Sequence, residues 1–469
     1  MGKYQKLGKN VVLLTIGNFA SRVLSFLLVP FYTAVLSTSE YGTADMLTTS
    51  VNLIMPIFTL MIYEAVMRFA LDENSDKRQV FSAGLYITIT GCLIIVFGAQ
   101  FLRLFDASKD YVWTFALYYI SLVFYNLVLQ FAKGIEKVSV YSIAGVINTF
   151  VYIICNIIFL LYLRVGVKGY LMAFVIGHTV SVLYAFIKAK VYVYVISYSK
   201  IKIDNLRHMV KYAAPMIPNA MSWWISNSSD KYILTFFWGV SVNGIYSVAY
   251  KIPSILTIVI NIFISAWQIS AVEDFGSEES KKFYADIYDK YESLLFIGSA
   301  ILIGGTQILA RFLFSNDFYA AWLYTPVLIY ASLFNSLAAF YGSIYTASKR
   351  TQMMFYSTLL GALANIILNF AMIPTFGAMG AAIATMISYI VVWIVRAVDS
   401  RKIFAFKIKI KRDVCIYVVL TAEIILICND WNPFYIVSIV SIILVCLICR
   451  KVLIDSLRLV LCRTFREKV

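Results

Sequence analysis

Residues 139–163 read SVYSIAGVINTFVYIICNIIFLLYL, and residues 164–173 continue as RVGVKGYLMA. The first segment contains no Asp, Glu, Lys or Arg. Because about 20 apolar residues are enough for a helix to cross the hydrocarbon core of a bilayer, this segment predicts a transmembrane helix. A helix satisfies its backbone hydrogen bonds internally, which makes it the expected form of so long a run in lipid.

Thirteen other runs of the same character lie along the chain. The fourteen predicted spans are approximately 11–36, 44–68, 80–102, 111–132, 139–163, 169–187, 210–236, 244–271, 291–313, 322–347, 352–373, 379–399, 413–429 and 433–449. Of the 469 residues, 61% are hydrophobic and only 14% are charged, whereas a soluble domain carries about 25% charge. The predicted fold class is therefore an all-α polytopic membrane protein, and a disordered chain, a coiled coil and a disulfide-stapled secreted domain are excluded.

The net charge of +15 comes from 40 Lys and Arg residues against 25 Asp and Glu residues. The basic residues lie in short segments between apolar runs, which indicates membrane topology and not a nucleic-acid-binding surface. Thirty-two of them fall on the side of the membrane that holds the N-terminus, five on the opposite side and three within spans. For a protein of a bacterial plasma (inner) membrane, the positive-inside rule then predicts that both termini lie in the cytoplasm. The first apolar run is too long for a cleaved signal peptide.

Two halves of the chain repeat each other. Gly166–Ala173 opens span 6 and Gly377–Ala384 opens span 12, both with the pattern G-x-x-G-x-x-x-A. Gly42 before span 2 likewise matches Gly244 before span 8, at an offset of 202 residues. Six spans per half predict a parallel repeat about an axis along the membrane normal. The predicted domains are an N-lobe (1–190, spans 1–6), a cytoplasmic linker (191–209), a C-lobe (210–400, spans 7–12) and a segment with spans 13–14 and a basic tail (401–469).

Polar residues lie on one helical face of spans 2 and 8. The face of span 2 contains Asp45, Thr49, Asn52, Pro56, Thr59 and Tyr63. The face of span 8 contains Ser247, Lys251, Ser254, Ile258, Asn261 and Ser265. Since such a face is unfavourable against lipid, the pattern predicts that the two halves each contribute one wall to a shared polar interior.

Charged residues within spans are candidates for function, because Arg or Lys at mid-bilayer costs at least about 2.5–3.5 kcal/mol. Arg22 shares a face with Asn18 in span 1 and is either an anion ligand in a cavity or half of a structural ion pair. Lys251 lies on the polar face of span 8, which favours the cavity. Asp230 and Lys231 lie near the outer end of span 7. A salt bridge between them or interfacial snorkelling explains their position as well as a role in substrate binding does.

Three carboxylates, Asp45, Glu64 and Glu423, are candidates for ion coupling, although Glu64 can pair with Arg68 four residues later. The His and Cys residues show no metal-ligand spacing, and Walker A, G-x-S-x-G and H-E-x-x-H motifs are absent. We therefore expect no metal, no cofactor, no catalytic residue and no enzymatic activity. The weakly cationic interior favours an anionic substrate such as a phosphate or pyrophosphate.

Four stretches of sequence are distinctive: LSTSEYG at 36–42, EAVMRF at 64–69, NSSDKYIL at 227–234 and GIYSVAYKIP at 244–253. They resemble the Wzx-type polysaccharide flippases of the multidrug/oligosaccharidyl-lipid/polysaccharide exporter superfamily, and the resemblance extends over nearly the whole chain. It implies two six-helix lobes in a V shape. It also implies a substrate built of an oligosaccharide repeat unit on undecaprenyl pyrophosphate, flipped from the cytoplasmic to the outer leaflet by alternating access.

The resemblance also implies roles for individual residues. Arg22, Lys231 and Lys251 would contact the anionic head of the substrate while its lipid tail stays in the bilayer. The full predicted substrate-binding set is Arg22, Lys251, Lys231, Asp230, Asn18, Asn52, Ser254 and Asn261. The expected partners are membrane lipids, a polysaccharide polymerase and glycosyltransferases, with no nucleic acid, and the expected product is a surface polysaccharide such as O-antigen or capsule. Many Wzx proteins have twelve spans, whereas fourteen is typical of lipid II flippases and sporulation-type relatives.

Two other functions are open on the sequence alone. A cation-coupled multidrug exporter of the same superfamily would be expected to need interior carboxylates for its cationic drugs, which the basic interior disfavours. A membrane-embedded glycan polymerase or ligase would be expected to have a large outer loop with clustered Arg, His or Asp residues. The predicted outer segments here are short.

Overall fold

The computed structural model describes residues 23–104, 108–273, 278–348, 350–429, 434–452 and 454, and within these residues the secondary structure is helical, with no strand. The α-helices are α1 (Val29–Val35), α2 (Thr38–Phe58), α3 (Ile62–Ala70), α4 (Lys77–Gly98), α5 (Val112–Gly134), α6 (Val138–Asn156), α7 (Gly166–Lys188), α8 (Ile203–Ala213), α9 (Met216–Trp238), α10 (Val240–Ala249), α11 (Lys251–Glu273), α12 (Glu278–Gly304), α13 (Thr306–Leu313), α14 (Thr325–Ala347), α15 (Thr351–Ile403), α16 (Ile410–Cys428) and α17 (Phe434–Ile448). The prediction of an all-α membrane protein is confirmed.

The described helices lie where the fourteen spans were predicted. Six of these helices are long and apolar enough to cross a membrane individually, and nine spans result if each of three bent pairs counts as one. The long helix α15 contains two predicted spans, 352–373 and 379–399, because it continues through a kink at Gly377. The ends of the chain supply two shorter apolar helices, Val23–Val35 and Tyr435–Ile448. The more polar helices α9 and α16 occupy the positions of spans 7 and 13.

Two compact units make up the chain, Met1–Gly244 and Ile245–Val469. Helix α9, which was assigned to the C-lobe on the sequence, packs against α2 within the first unit. The predicted division into an N-lobe, a linker at 191–209 and a C-lobe remains a prediction, and the compact units divide after residue 244.

Helix α5 is the central helix of the first unit. It packs against α3, α4, α6 and α7, and its Leu127 and Phe131 are fully buried. The ring of Phe131 lies 4.7 Å from that of Phe81 on α4. This aromatic and aliphatic packing gives the unit a rigid centre against which its polar helices are held.

Helix α14 has the same position in the second unit. It packs against α11, α12 and α15, and 89% of its most apolar stretch is buried. The indole Nε1 of Trp267 on α11 donates to Ser343 Oγ on α14 at 2.8 Å. Helices α5 and α14 correspond to the fourth span of each predicted half, so the two units bury equivalent helices.

The repeat is also visible in backbone conformation. Gly166 and Gly377 open the equivalent spans 6 and 12, and both have a left-handed backbone, with φ of 59° and 56°. Glycine is the residue that adopts this region without a steric penalty. The second glycine of each motif packs closely on the preceding helix, since a Cβ at Gly169 would lie 2.9 Å from Phe159 Cβ and one at Gly380 would lie 2.5 Å from Met372 O.

Three predicted spans are broken. Helices α2 and α3 meet at 60°, α10 and α11 at 41°, and α12 and α13 at 63°. The first break follows Pro56 and places Leu60 and Met61 at positive φ. A broken span exposes backbone groups that need partners, which is why such breaks occur where polar side chains or cavities are available.

Candidate functional site

The N-terminus of α2 is fixed by a capping box. The backbone N–H of Glu40 donates to Ser37 Oγ at 3.2 Å, and the backbone N–H of Ser37 donates to Glu40 Oε2 at 2.9 Å. Both bonds satisfy donors that a helix start leaves open. The cap fixes the residue at which α2, the helix of Asp45, begins.

Asp45 forms an ion pair with Lys231 of α9. The Lys231 Nζ lies 3.0 Å from Asp45 Oδ1 and 2.9 Å from Asp45 Oδ2. The two side chains are 19% and 14% exposed. A nearly buried pair of this kind holds two charges that neither helix could keep alone in an apolar surrounding.

Further polar contacts join α2 and α9 on either side of the ion pair. The indole Nε1 of Trp224 donates to the carbonyl oxygen of Thr49 at 2.9 Å, and Ser50 Oγ lies 2.6 Å from Tyr232 Oη. The rings of Trp224 and Tyr232 are 5.2 Å apart. We refer to this interface as the α2–α9 seam, formed by Asp45, Thr49, Ser50, Trp224, Lys231 and Tyr232. Its contacts combine one ion pair with hydrogen bonds and one aromatic contact.

The seam continues into a close crossing of two repeat-related segments. A Cβ on Gly42 would overlap the carbonyl oxygen of Val240, and a Cβ on Gly244 would overlap that of Thr38. Residue 240 is the repeat equivalent of residue 38, and 244 that of 42, so the two contacts are reciprocal about a local two-fold axis. Thr38 Oγ1 and Ser241 Oγ also lie 2.5 Å apart. We refer to these residues as the glycine crossing.

The Asp45–Lys231 pair is of a type that an anion can break by competing with Asp45 for Lys231. The Lys231 ammonium has three donors, and Asp45 occupies it through both carboxylate oxygens. A phosphate offers more acceptor oxygens and at least an equal charge, so it is the type of group that can take the place of Asp45 on Lys231. Release of Asp45 removes the ionic contact between α2 and α9.

The other predicted substrate-binding residues are distributed over both units. Asp230 is buried, and it accepts a hydrogen bond from the backbone N–H of Lys231 at 2.9 Å, while the Lys231 ammonium pairs with Asp45 and not with Asp230. Asn52 is exposed on α2. Arg22 and Asn18 lie outside the described residues.

In the second unit, Lys251 is the first residue of α11 and lies at the 41° bend with α10. Ser254 Oγ donates to the carbonyl oxygen of Lys251 at 2.5 Å. Asn261 is exposed further along the same helix. The polar face predicted for span 8 therefore continues across a break in that span, with Ser247 in α10 and Lys251 in α11.

The other two candidate carboxylates, Glu64 and Glu423, accept hydrogen bonds from neutral side chains. Glu64 Oε1 accepts from Gln130 Nε2 at 3.5 Å, and its side chain makes no ion pair with Arg68. Glu423 on α16 is buried and accepts from Ser441 Oγ of α17 at 2.6 Å. A Cβ on Gly304, at the break between α12 and α13, would lie 3.1 Å from Glu423 Oε1. A role in ion coupling for Asp45, Glu64 or Glu423 remains a prediction.

One buried cation was missed on the sequence. Arg396 lies near the end of predicted span 12 and was grouped with the cytoplasmic segment, but in α15 it is buried. Its guanidinium donates to Ser357 Oγ at 2.9 Å, to Thr358 Oγ1 at 2.9 Å and to the carbonyl oxygen of Ala338 at 3.1 Å. Arg396 thus joins α14 to both halves of α15. Its position within a predicted span was the available signal.

Two solved structures share the fold. The lipid II flippase MurJ in an inward closed conformation matches with a TM-score of 0.72 and 17% sequence identity, over 95% of this chain and 99% of that chain. An inward-facing multidrug resistance MATE family transporter of the MOP superfamily matches with a TM-score of 0.61 and 14% identity, over 81% and 98% of the two chains. These similarities define the class of the protein: it has the helical membrane fold found in MOP-superfamily proteins.

The family follows from the sequence match. Residues 7–268 match the family described as polysaccharide biosynthesis protein, and the chain belongs to this family. An uncharacterized membrane protein of Methanocaldococcus jannaschii is 20% identical over 411 residues, covering 83% of this chain and 96% of the relative.

Proposed function

We propose that the protein is a flippase that moves an undecaprenyl-pyrophosphate-linked oligosaccharide repeat unit from the cytoplasmic to the outer leaflet by alternating access, for surface polysaccharide synthesis. The observation that carries the proposal is membership of the polysaccharide biosynthesis family by a chain with a MOP-superfamily fold. The solved relative with the higher TM-score quoted above is itself a lipid II flippase. A lipid-linked pyrophosphate is also an anion of the type that can take the place of the Asp45 carboxylate on Lys231.

In the proposed cycle the α2–α9 seam is closed by Asp45 while no substrate is bound. The pyrophosphate displaces Asp45 from Lys231, and the seam separates because its principal ionic contact has been replaced by one to the substrate. A ligand shifts a conformational equilibrium by its difference in affinity for the two states, and here that difference comes from the cation exposed in the open state. Arg22 and Lys251 are further predicted anion-binding residues.

The test is the leaflet location of the lipid-linked glycan after depletion of the protein. A membrane-impermeant glycan-modifying enzyme is added outside intact cells, and the accessible fraction is compared with that after lysis. Accumulation of inaccessible glycan supports the flippase. Glycan stranded on the outside would indicate a polymerase or ligase, and no accumulation on either side would contradict the proposal and favour drug export.

Variants of Lys231 connect the seam to this function. In depleted cells, Lys231→Ala should fail to restore surface glycan, whereas Lys231→Arg should restore part of it because the charge is kept. Arg22→Ala and Lys251→Ala should also fail. The matched control is Lys188→Ala, an exposed lysine at the end of α7. Membrane abundance is measured by immunoblot, and wild-type glycan levels with Lys231→Ala would remove this residue from the site.

A further inference from the structure

A cavity of about 1100 Å³ lies in the second unit, where α12 and α16 begin and α17 ends. Seven cationic and three acidic side chains line it. None of the residues used so far for the proposed transport function lies in this cavity. We refer to it as the basic pocket.

Three carboxylates in and around the basic pocket form ion pairs, whereas Asp286 also lines it and is exposed. Arg412 pairs with Glu292 at 2.7 Å, with Asp413 at 2.7 Å, and with Asp289. Lys409 Nζ adds a second contact to Asp289 at 2.8 Å. One arginine therefore binds three carboxylates, and these pairs link α12 to the first turn of α16.

Three lysines of the basic pocket face open space. Lys290 of α12, Lys407 of the segment before α16 and Lys451 after α17 line the basic pocket, and all three are exposed. Their side chains make no ion pair with any residue in the described part of the chain. They come from three separate segments that fold together here, so the positive charge is a property of the tertiary structure.

The basic pocket also has an apolar wall. Phe406, Tyr288 and Ile408 line it next to the lysines. The rings of Tyr288 and Phe406 are 5.4 Å apart, and Phe406 stacks on Tyr341 at 6.1 Å, which fixes this wall against the helices. A site with a cationic rim and an apolar wall fits an amphipathic ligand better than a free ion.

The level of the basic pocket follows from the helix ends. Predicted spans 9, 13 and 14 have their charged ends at Lys290, Arg412 and Arg450, where apolar sequence gives way to basic sequence. Basic residues at such positions lie among the headgroups of the leaflet on that side, which the positive-inside rule predicts to be cytoplasmic.

We propose that the basic pocket binds the phosphate of an acidic glycerophospholipid from the adjacent leaflet. Basic pockets between transmembrane helices are suited to anionic headgroups, because each lysine or arginine near the membrane surface adds about 1 kcal/mol of attraction. The lysines contact the phosphate, and the wall of Phe406, Tyr288 and Ile408 contacts the glycerol and the first methylenes of the acyl chains. The bound lipid then links α12, the segment before α16 and the end of α17.

Lysine footprinting tests the site directly. The purified full-length protein is placed in nanodiscs of phosphatidylcholine alone or with phosphatidylglycerol, treated with an amine-reactive reagent and analysed by mass spectrometry. Phosphatidylglycerol should protect Lys290, Lys407 and Lys451, and it should leave Lys188, Lys200 and Lys202 as reactive as before. Equal reactivity of the three pocket lysines in both lipids would overturn the proposal.

A second part of the footprinting experiment distinguishes a lipid phosphate from free inorganic phosphate. Inorganic phosphate at millimolar concentration is added to the phosphatidylcholine nanodiscs. No protection is expected, since a free ion gains nothing from the apolar wall. Protection by inorganic phosphate equal to that by phosphatidylglycerol would overturn the lipid assignment and indicate a soluble phosphate ligand.

Substitution provides an independent measurement. The variant Lys290→Gln/Lys407→Gln/Lys451→Gln should bind phosphatidylglycerol at least about tenfold more weakly in a native mass spectrometry titration. The control Lys188→Gln/Lys200→Gln/Lys202→Gln removes the same charge from exposed positions of the first unit and should bind as the wild type. Equal affinities for the two variants would overturn the proposal. Glycan flipping is not the readout, so the result is independent of the proposed function.

Discussion

The Asp45–Lys231 pair shows how one residue depends on another far along the chain. Each charge on its own would be unfavourable in a nearly buried position, and each is stabilised by the other. Breaking a buried pair is more costly than removing both partners, because the remaining charge stays in a low-dielectric surrounding. Exposed fractions of 14% and 19% moderate this penalty without removing it.

Swapping the two charged residues by mutation distinguishes a structural role of this pair from a role in substrate binding. Asp45→Lys and Lys231→Asp should each lower stability by up to about 3 kcal/mol, because like charges then face each other across the seam. The double variant should recover most of that stability, as measured by thermal unfolding in detergent. It should not recover glycan flipping, since the cation has moved to α2. Full activity of the double variant would show that the pair is structural.

Arg396 gives a second prediction for a single residue. Arg396→Lys should lower stability by about 2 kcal/mol, because one ammonium cannot serve Ser357, Thr358 and the Ala338 carbonyl, and buried acceptors without a donor are costly. The exposed Arg401→Lys on the same helix is the control and should be neutral. Equal thermal midpoints for the two variants would argue against the role assigned to Arg396.

The sequence predicted which residues carry the polar chemistry, but not which of them meet. Asp45 was a lone carboxylate on the sequence, and its partner lies 186 residues away. Neither helical spacing nor composition indicates a contact between residues so far apart in the sequence. Trp224 and Tyr232 of the seam had no distinguishing pattern, since aromatic residues are common along membrane spans.

The helices α16 and α17 lie beyond the six-span repeat, but their contacts make them part of the second unit. Arg412, at the start of α16, pairs with Asp289 and Glu292 of α12. Glu423 further along α16 bonds to Ser441 of α17. The first of these contacts attaches α16 to α12, and the second joins α16 to α17.

Arg412→Ala should therefore release α16 from α12. It leaves Asp289, Glu292 and Asp413 close together without their common cation, and we expect a loss of about 3 kcal/mol in stability. Adding Glu292→Gln should restore part of the loss by removing one of the like charges. The neighbouring exposed Lys411→Ala should have no effect. Thermal unfolding of the four proteins measures this, and an unchanged midpoint for Arg412→Ala would refute it.

Hydropathy placed the elements well because the lengths of apolar runs are set by the bilayer itself. The breaks within spans were not predictable in the same way. The α2–α3 bend places Leu60 and Met61 at positive φ, although neither is the glycine that a sequence pattern would require there. Tertiary packing imposes this conformation, and it leaves no local signal.

At the scale of the whole molecule, the glycine crossing relates the two halves of the repeat. Its reciprocal contacts join residues that the sequence had already matched at an offset of 202. The overlaps that a Cβ would cause at Gly42 and Gly244 show that the segments touch through their backbones. Any separation of the seam must therefore also separate this crossing.

A disulfide across the crossing tests whether separation is required for transport. In a variant lacking the seven native cysteines, Thr38→Cys/Ser241→Cys should cross-link under mild oxidation, because the two hydroxyl oxygens lie 2.5 Å apart. Cross-linked protein should lose glycan flipping and regain it on reduction. The single cysteine variants should be unaffected by oxidant. Undiminished flipping by the fully cross-linked protein would exclude opening at this point.

The Asp45–Lys231 pair has an electrical consequence. Its charges sum to zero, so a movement that carries both residues together through the membrane field does no electrical work, whereas one unpaired charge crossing it would exchange about 2.3 kcal/mol per 100 mV. The opposite charges of Asp45 and Lys231 thus cancel, and the pair gives the closed seam no sensitivity to voltage. If the proposed pyrophosphate replaces Asp45, any response to the membrane potential depends on the charge of the cargo together with the carboxylate left behind.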